Sequence, residues 1–411
     1  MTPERPLHIA IVRDAHITGG GISRVAESWA RILGTAGHAV TLVSETHEAA
    51  RALPPIPNLR QVVFERVRTK RRASRIAARA RGSAEATLDL ARSSPVDLLI
   101  SHTAATTIAL RRLFPRAPLL QSFHSPMVDE IRLNNWKYAS SAWRRLTYPV
   151  AMAYSFLVER KVLRSIDCAH TLSRFTWDRL RAMHPAACSK VEWRLVPGTY
   201  DDRAFVPAPD RARVRERLGF DPREKILLTV RRLVPRNGVD RILLCAERLG
   251  GRFPDARFLI GGAGRMRAAL ERRLEASRLA GRVRLLGFIP DDLLAAHYQA
   301  ADVFLLPTKD LECFGLPVIE AMGCGCTPLI SPGGGPSEIL EDRPAWVAAA
   351  NRDEAFVDLV GRYLAGSIAT DPAGVARDAA ARYSETAVTP AVLELVEKIA
   401  SRGTAARGLP D

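Results

Sequence analysis

Residues 302–320 read DVFLLPTKDLECFGLPVIE and combine a buried strand, a tight turn and the start of a helix. The strand is the apolar run at 302–307, Gly315 permits the turn, and Pro317 suits the first helical turn, where a missing N–H costs nothing. The first N–H groups of a helix have no partner within it and can bind an anion. We therefore predict a phosphate site at the carboxyl end of this strand, with Glu312 and Glu320 flanking it.

The same succession of strand and helix runs along the whole chain. Apolar strand-like runs occur at 8–12, 39–43, 97–101, 226–230, 257–261, 283–287, 302–307 and 328–331. Continuous apolar strands separated by amphipathic helices predict parallel sheets covered on both faces. The predicted fold class is α/β, with two doubly wound Rossmann-like domains.

A turn-rich stretch, VPGTYDDRAFVP at 196–207, predicts the linker between the two domains. We place the first domain at 1–205 and the second at 206–385. A C-terminal segment, 386–411, contains a predicted helix at 390–401 that could pack back on the first domain, followed by a frayed tail. A chain of 411 residues is long enough for two cores of ordinary size.

The net charge of +16 is concentrated in the first half of the chain. Residues 1–205 hold 31 Lys and Arg against 17 Asp and Glu, whereas the rest hold 29 against 27. Basic clusters at 66–81 and 144–164 could attract an anionic membrane, an anionic acceptor or nucleic acid, or could form a solvated surface. The aromatic and basic segment Asn135–Tyr148 leaves three interpretations open: an interfacial patch for a lipid-linked acceptor, a lid, or a helix covering the sheet.

The six cysteines are scattered, without a CxxC pair, so we expect neither a zinc site nor a disulfide framework. The start of the chain lacks the pattern of a signal peptide, and the apolar run 149–158 is too short to span a bilayer. These features predict a cytoplasmic protein, with peripheral contact at the inner membrane face as an option.

Three further loops could approach an anionic ligand. Residues 18–22 (TGGGI) follow the first strand, and residues 230–238 (VRRLVPRNG) contain a pair of arginines. In residues 261–264 (GGAG) the glycines would let the backbone come close to a ligand. Each also has a plain structural interpretation, as a tight strand-to-helix turn or a basic surface turn. Glycine turns of this kind are weak evidence when taken singly.

The order of GGGIS, FHS, VPGTYDDRAF, VRRLVPRNG, GGAG, LGFIP and ECFGLPVIEAMGCG, from residue 19 to about 340, resembles the retaining family 4 glycosyltransferases. That resemblance implies the GT-B fold, in which the two domains face each other across a cleft, the first on the acceptor side and the second binding a nucleotide-sugar. It also implies transfer of a hexose-type sugar from a nucleotide-diphosphate donor to a hydroxyl or other nucleophile, in glycan or natural-product biosynthesis.

The resemblance assigns roles to individual residues. The catalytic residues would be His124, which reaches the transferred sugar, Arg232, which neutralises the diphosphate, and Glu312, which holds sugar hydroxyls; Glu320 would bind the ribose. The implied donor-binding set is Gly20, Gly21, Arg232, Asn237, Gly262, Gly264, Glu312, Phe314, Gly315, Leu316 and Glu320. The family usually has lysine where this chain has Asn237, so one positive charge is missing, and Arg231 or Arg236 could compensate.

The sequence offers no further nucleophile in a matching motif, so we predict same-face substitution. No Asp-x-Asp element is present and no metal or other cofactor is expected beyond the nucleotide-sugar co-substrate. The acceptor would be a small molecule or a lipid-linked one, and nucleic acid is not an expected partner. Two alternatives remain: a GT-B nucleotide-sugar epimerase or hydrolase, and, more distantly, a basic nucleic-acid-binding protein.

Overall fold

The computed structural model describes residues 5–13, 20–45, 55–65, 72–139, 141–277, 279 and 281–403. The chain divides into two compact units. Unit one comprises Met1–Gly198 and Val388–Asp411, and unit two comprises Thr199–Ala387.

Unit one contains a parallel sheet with helices between its strands. Its elements are β1 (His8–Val12), α1 (Gly21–Thr35), β2 (Ala39–Glu45), β3 (Leu59–Phe64), α2 (Arg72–Ser93), β4 (Leu98–Ser101), α3 (Ala104–Leu113), β5 (Leu119–Phe123), α4 (Met127–Arg132), a π-helical turn (Leu133–Lys137), α5 (Ala142–Leu146), α6 (Tyr148–Leu163), β6 (Cys168–Thr171), α7 (Arg174–Met183), α8 (Pro185–Cys188) and β7 (Glu192–Leu195).

The sheet of unit one has the order β3-β2-β1-β4-β5-β6-β7, and all of its pairings are parallel. The four apolar residues Ile9 to Val12 of β1 are fully buried, as expected for a central strand covered on both faces. Strands β1 to β3 are added in chain order toward one edge of the sheet, and strands β4 to β7 are added toward the other edge. The strand order therefore reverses between β1 and β4.

Unit two contains a smaller parallel sheet. Its elements are α9 (Arg211–Arg217), β8 (Lys225–Val230), a 3-10 turn (Pro235–Asn237), α10 (Asp240–Leu249), β9 (Ala256–Gly261), α11 (Arg267–Glu275), β10 (Val283–Gly287), α12 (Asp291–Ala300), β11 (Val303–Leu306), α13 (Leu316–Gly323), β12 (Thr327–Ile330), α14 (Gly335–Ile339), a 3-10 turn (Pro344–Trp346), α15 (Asp353–Leu364) and α16 (Pro372–Tyr383). The strand order is β10-β9-β8-β11-β12.

The last helix, α17 (Glu385–Ala400), is followed by a 3-10 turn (Ser401–Gly403). The sequence predicts this helix from residue 390, but it begins five residues earlier and contains Pro390. The proline lies in the second turn, so it removes a single backbone hydrogen bond near a helix end. Lys398 Nζ lies 3.1 Å from Glu192 Oε1 of β7.

The two parallel sheets confirm the predicted α/β class with two Rossmann-like units. All six cysteines are free and buried, so no disulfide forms.

Candidate functional site

The strand order of unit two reverses between β8 and β11. Chain succession runs from β8 outward to β10 on one side, and from β11 to β12 on the other. The loops that leave these two central strands diverge, and the crevice between them is where open α/β sheets bind ligands. The loop 231–238 follows β8 and the loop 307–315 follows β11, so the arginine motif and Glu312 flank this crevice.

An ion pair joins the two loops. A terminal nitrogen of the Arg231 guanidinium contacts Glu312 Oε2, and the other terminal nitrogen donates to Thr308 Oγ1. The Arg231 side chain is 6% exposed and that of Glu312 is 22% exposed. The guanidinium therefore fixes the position of the carboxylate that the sequence singles out, a role that the sequence did not assign to Arg231.

Gly315 ends the Glu312 loop in the predicted tight turn. Its φ is 98°, it caps α13, and Pro317 lies in the first turn of that helix, which confirms the predicted local structure. Phe314 and Leu316 are buried, and the Phe314 ring packs edge-on against Tyr383 with centroids 6.2 Å apart. The side chains of Phe314 and Leu316 thus pack in the interior, so only the backbone groups of these residues could contact a ligand.

A glycine run after β12 supports the Glu312 loop. The N–H of Gly335 donates to the Glu312 carbonyl at 2.9 Å. A Cβ on Gly334 would overlap the Glu312 carbonyl oxygen, and one on Gly335 would overlap that of Cys313. The sequence analysis did not single out these glycines, although the run of three at 333–335 was the available signal.

Asn237 stabilises the turn that carries Arg232. Its side-chain amide donates to the Arg232 carbonyl at 2.8 Å, and the residue is buried. Arg231, one of the two arginines that could compensate for the missing lysine charge, forms an ion pair with Glu312, and compensation by Arg231 or Arg236 stays a prediction. A lysine of the other loop lies beside this turn, because the Lys309 side chain packs against Gly238 and the Lys309 N–H donates to the Arg236 carbonyl at 2.8 Å.

The loop after β9 packs on the arginine loop. Gly262 and Gly264 have φ values of 129° and 156°, and a Cβ on either would overlap the carbonyl oxygen of Arg231 or Leu233 respectively. The Leu233 N–H donates to the Ala263 carbonyl at 2.9 Å. The structure therefore gives both glycines a backbone-packing role, and their predicted contact with the donor stays a prediction.

Glu320 lies on α13 and is 3% exposed. Its Oε2 accepts a hydrogen bond from the Tyr298 hydroxyl at 3.2 Å. Ribose binding by Glu320 stays a prediction from the resemblance.

Three of the predicted residues lie in unit one. Gly20 is the N-cap of α1 and has no side chain with which to satisfy the first N–H groups, and Gly21 is the first residue of that helix. Thr18 and Gly19, from the same glycine run, lie outside the described residues. The amino end of α1 thus presents only backbone groups at the two glycines.

His124 follows β5 and belongs to a cluster of three histidines. Its Nε2 lies 2.9 Å from His102 Nδ1 and 3.5 Å from Ser122 Oγ. Ser122 Oγ also lies 3.0 Å from Nδ1 of His170, and the other ring nitrogen of His170 donates to the Val196 carbonyl at 2.9 Å. The sequence analysis singled out His124 alone, because the other two histidines are brought beside it only by strand pairing.

The cluster keeps its imidazoles uncharged. Burial, followed by the charge of His170, lowers the pKa of His124 from its ordinary value to about 3, and burial lowers the pKa of His170 to about 4. Burial, followed by the charges of its neighbours, also lowers the pKa of His102. At neutral pH His124 is therefore a neutral hydrogen-bonding group that would not repel positive charge on a sugar.

Within the described ranges, no group of three His, Cys, Asp or Glu side chains is placed to hold a metal ion. Among the helices of those same ranges, none combines the length and the apolar character needed to cross a membrane.

Two family models match the chain. Residues 19–194 match Glycosyltransferase Family 4, and residues 210–382 match Glycosyl transferases group 1. Each matched range covers nearly all of one predicted Rossmann-like domain.

Curated relatives include mannosyltransferases. The GDP-mannose-dependent alpha-(1-6)-phosphatidylinositol monomannoside mannosyltransferase of Mycolicibacterium smegmatis is 33% identical over 227 residues, which is 53% of this chain and 58% of the relative. The mannosylfructose-phosphate synthase of Agrobacterium fabrum is 31% identical over 151 residues, or 34% of this chain and 33% of the relative. The chain spans about half the length or less of the curated relatives it matches.

Solved structures share the fold over nearly the whole chain. Sucrose-phosphate synthase from Thermosynechococcus elongatus superposes with a TM-score of 0.79 at 20% identity, covering 96% of this chain and 99% of that one. The Anabaena protein HepE, solved in complex with UDP and glucose, superposes with a TM-score of 0.72 at 14% identity, covering 95% and 100%. With one family model matching each unit and GT-B structures matching the fold, the chain belongs to the family 4 glycosyltransferases of the GT-B fold.

Proposed function

We propose that this glycosyltransferase is a retaining hexosyltransferase that uses a nucleotide-diphosphate sugar. The observation that carries the proposal is the Arg231–Glu312 ion pair, which links the loops after β8 and β11 at the point where the strand order of unit two reverses. This pair fixes a carboxylate beside the amino end of α13. A carboxylate that accepts from sugar hydroxyls, next to helix amides that bind phosphate, is the arrangement that a sugar diphosphate requires.

Transfer would follow a same-face route. The bond from the anomeric carbon to the diphosphate oxygen breaks while a bond to the acceptor oxygen forms on the same face, and the departing phosphate oxygen takes the acceptor's proton. Arg232 and the first N–H groups of α13 would stabilise the negative charge that develops on the leaving diphosphate. His124 would orient the sugar, as the resemblance implies.

Turnover would not need a metal ion. The charge of the diphosphate would be offset by Arg232, by Lys309 and by the positive end of the α13 dipole, all at the carboxyl ends of β8 and β11. We therefore expect chelation of divalent cations to leave the rate unchanged.

The acceptor would be a small-molecule or lipid-linked hydroxyl. The mannosyltransferases among the relatives are named for phosphatidylinositol mannoside acceptors. We propose a peripheral position at the inner face of an anionic membrane as part of this assignment.

The first experiment identifies the donor and the reaction. Thermal unfolding is measured with UDP-, GDP-, ADP- and TDP-sugars, because a ligand at 100 times its dissociation constant stabilises the folded state by about 2.7 kcal/mol. The stabilising donor is then incubated with and without acceptors, and the anomeric configuration of the product is read by NMR. Retained configuration on an acceptor supports the proposal. Conversion of donor alone to an epimer or to free sugar as the only reaction contradicts it.

The second experiment tests the residues. Glu312→Ala and Arg232→Ala are each expected to lower turnover by roughly 10²-fold or more, because each removes a group that holds sugar or diphosphate in the transition state. Glu354→Ala, an exposed carboxylate in the first turn of α15, is the matched control and should keep full turnover. Near-normal turnover in both site variants would exclude the assignment.

A further inference from the structure

The helices α5 and α6 of unit one display an apolar stripe to solvent. The helices are nearly continuous, because the Thr147 N–H donates to the Trp143 carbonyl and the Ala151 N–H donates to the Thr147 carbonyl, both at 3.0 Å. The stripe consists of Trp143 (70% exposed), Leu146 (78%), Val150 (74%), Tyr154 (66%) and Leu157 (53%). Their spacing of three or four residues puts all five on one helix face.

The opposite face of α6 is anchored in unit one through polar groups. Glu159 is buried, accepts a hydrogen bond from the Met127 N–H at 2.6 Å and pairs with His184 Nε2 at 3.0 Å. Ser155 is also buried, and Val162 packs in the core of the same unit. An amphipathic surface helix normally turns its apolar face inward. Here the buried contacts of Glu159 and Ser155 hold the apolar stripe outward.

Basic side chains flank the stripe. Arg144 and Arg145 lie beside its first residues, and Lys161 and Arg164 lie at its far end; Arg145, Lys161 and Arg164 are exposed. The only acidic residue between 141 and 164 is Glu159, which is buried. The exposed charge that residues 141–164 contribute is therefore uniformly positive.

Aromatic residues extend the surface at its amino end. Trp136 is 56% exposed and its ring lies 5.4 Å from that of Tyr148. Tryptophan and tyrosine favour the boundary between lipid head groups and acyl chains, because their rings are apolar with one polar group. A helix face with apolar and aromatic residues and a cationic border has the chemistry of an interfacial membrane helix.

We propose that the stripe, defined by Trp143, Leu146, Val150, Tyr154 and Leu157, lies in the interface of an anionic bilayer, with the flanking cations on lipid phosphates. This inference rests on the proposed peripheral position and names the surface that makes the contact, but it is independent of the transfer reaction, since docking needs neither donor nor acceptor. A bilayer is favoured over a second protein surface by the positive charge at both ends of the stripe, which a lipid phosphate layer complements.

The test is flotation of the full chain with vesicles, without donor. Vesicles of one part phosphatidylglycerol to two parts phosphatidylcholine should carry the wild-type protein, and pure phosphatidylcholine vesicles should carry much less of it. The variant Trp143→Ser/Leu146→Ser/Val150→Ser should bind the anionic vesicles at least about tenfold more weakly, because it removes most of the exposed apolar area. All three side chains are exposed, so the variant should unfold at the wild-type temperature, which is checked in parallel.

Two matched variants sharpen the test. Phe288→Ser removes an equally exposed apolar side chain (66%) from unit two and should float like wild type. Lys161→Glu/Arg164→Glu keeps the apolar stripe and should lose the preference for anionic vesicles. Unchanged flotation of the triple variant, or equal binding of wild type to neutral and anionic vesicles, would overturn the proposal. So would a protein that fails to bind vesicles but forms a dimer in sedimentation that the triple variant abolishes.

Discussion

The ion pair between Arg231 and Glu312 offers a quantitative test of how unit two builds its site. Breaking a buried ion pair by removing one partner costs about 3–5 kcal/mol, whereas an exposed pair contributes about 0–1 kcal/mol. The side chains here are 6% and 22% exposed, so the pair lies between these limits and nearer the buried one. We expect Arg231→Met to lower the free energy of unfolding of unit two by about 3 kcal/mol.

Hydrogen exchange measured by mass spectrometry on peptides from β8 and β11 reports the opening of unit two alone. The variants Arg231→Met and Glu312→Gln and the double variant form a cycle, and we expect a coupling free energy of about 1–2 kcal/mol. The Arg273–Glu247 pair, also in unit two, is the control, because its side chains are 39% and 32% exposed and its coupling should stay below about 0.5 kcal/mol. Effects at Arg231 and Glu312 that add within about 0.5 kcal/mol would refute the reasoning.

The same variant separates positioning from binding. If Arg231 acts by holding Glu312, Arg231→Met should weaken binding of the nucleotide-sugar more than binding of the free nucleoside diphosphate, because the proposed contacts of Glu312 are with the sugar. A loss of one well-placed hydrogen bond to a charged group corresponds to about tenfold in affinity. Equal weakening of both ligands would mean that Arg231 itself binds the diphosphate and would contradict a positioning role.

Three other features give independent predictions. Gly315→Ala should destabilise unit two by about 1–3 kcal/mol in the same hydrogen-exchange measurement, because a φ of 98° is strained for alanine and the new Cβ would lie 2.9 Å from Pro336 Cγ. As the control, Gly251→Ala should be close to neutral, because a Cβ there meets nothing within 4 Å. The pKa of His170 is lowered to about 4, so below about pH 6.5 the unfolded chain binds a proton at this residue that the folded chain does not. His170 should therefore contribute up to about 1.4 kcal/mol of stability loss per pH unit as the pH falls between these values. In urea unfolding, His170→Asn should show a dependence on pH shallower by that amount, and an unchanged dependence would be the contrary result. Lys309→Gln should weaken GDP or UDP binding by about tenfold in calorimetry. The control Lys225→Gln, at the opposite end of β8, should bind like wild type. Equal affinities in wild type and both variants would show that Lys309 does not contribute to the site.

The sequence predicts the strands of this protein where they are apolar and covered on both faces. The runs at 8–12 and 283–287 coincide with β1 and β10, and the other predicted runs match their strands within two residues. Most of these runs signal a strand because nearly all of their side chains are buried, so burial and strand geometry give the same pattern; β10 is an edge strand that is only partly buried, and Arg284 in it is exposed. This pattern was sufficient for two parallel sheets and for the carboxyl ends at which the site lies.

The strands that the sequence analysis missed follow other patterns. The strand β6 has the sequence CAHT, which looks polar, yet all four residues are buried because His170 finds partners in Ser122 and Val196. The edge strands β3 and β7 are partly exposed, so their residues lack a continuous apolar run. A buried polar strand can be identified only when its hydrogen-bond partners are known, and these come from neighbouring strands.

In the site, the sequence predicts local geometry and misses pairing across loops. The turn at Gly315 and the helix start follow from the order of residues 312–320 alone, because each requirement involves neighbours along the chain. The contact of Arg231 with Glu312 joins residues 81 positions apart and depends on β8 and β11 being adjacent strands. Strand order is therefore the information needed to see Arg231 as the partner of Glu312, whereas the sequence offered it only as one of two arginines that could compensate for the missing lysine charge.

The replacement of lysine by Asn237 follows from the same strand order. At a reversal of strand order two loops lie side by side, so a positive charge can be supplied from either loop without changing the crevice. Asn237 uses its amide to hold the Arg232 carbonyl, and Lys309, from the loop after β11, lies against Gly238, the next residue of the turn. Its ammonium group lies 2.5 Å from Asp240 Oδ2, so an approaching diphosphate competes with that carboxylate for it. A lysine at 237 would lose the amide contact that shapes the turn, so we expect Asn237→Lys to strengthen nucleotide binding less than the loss of Lys309 weakens it.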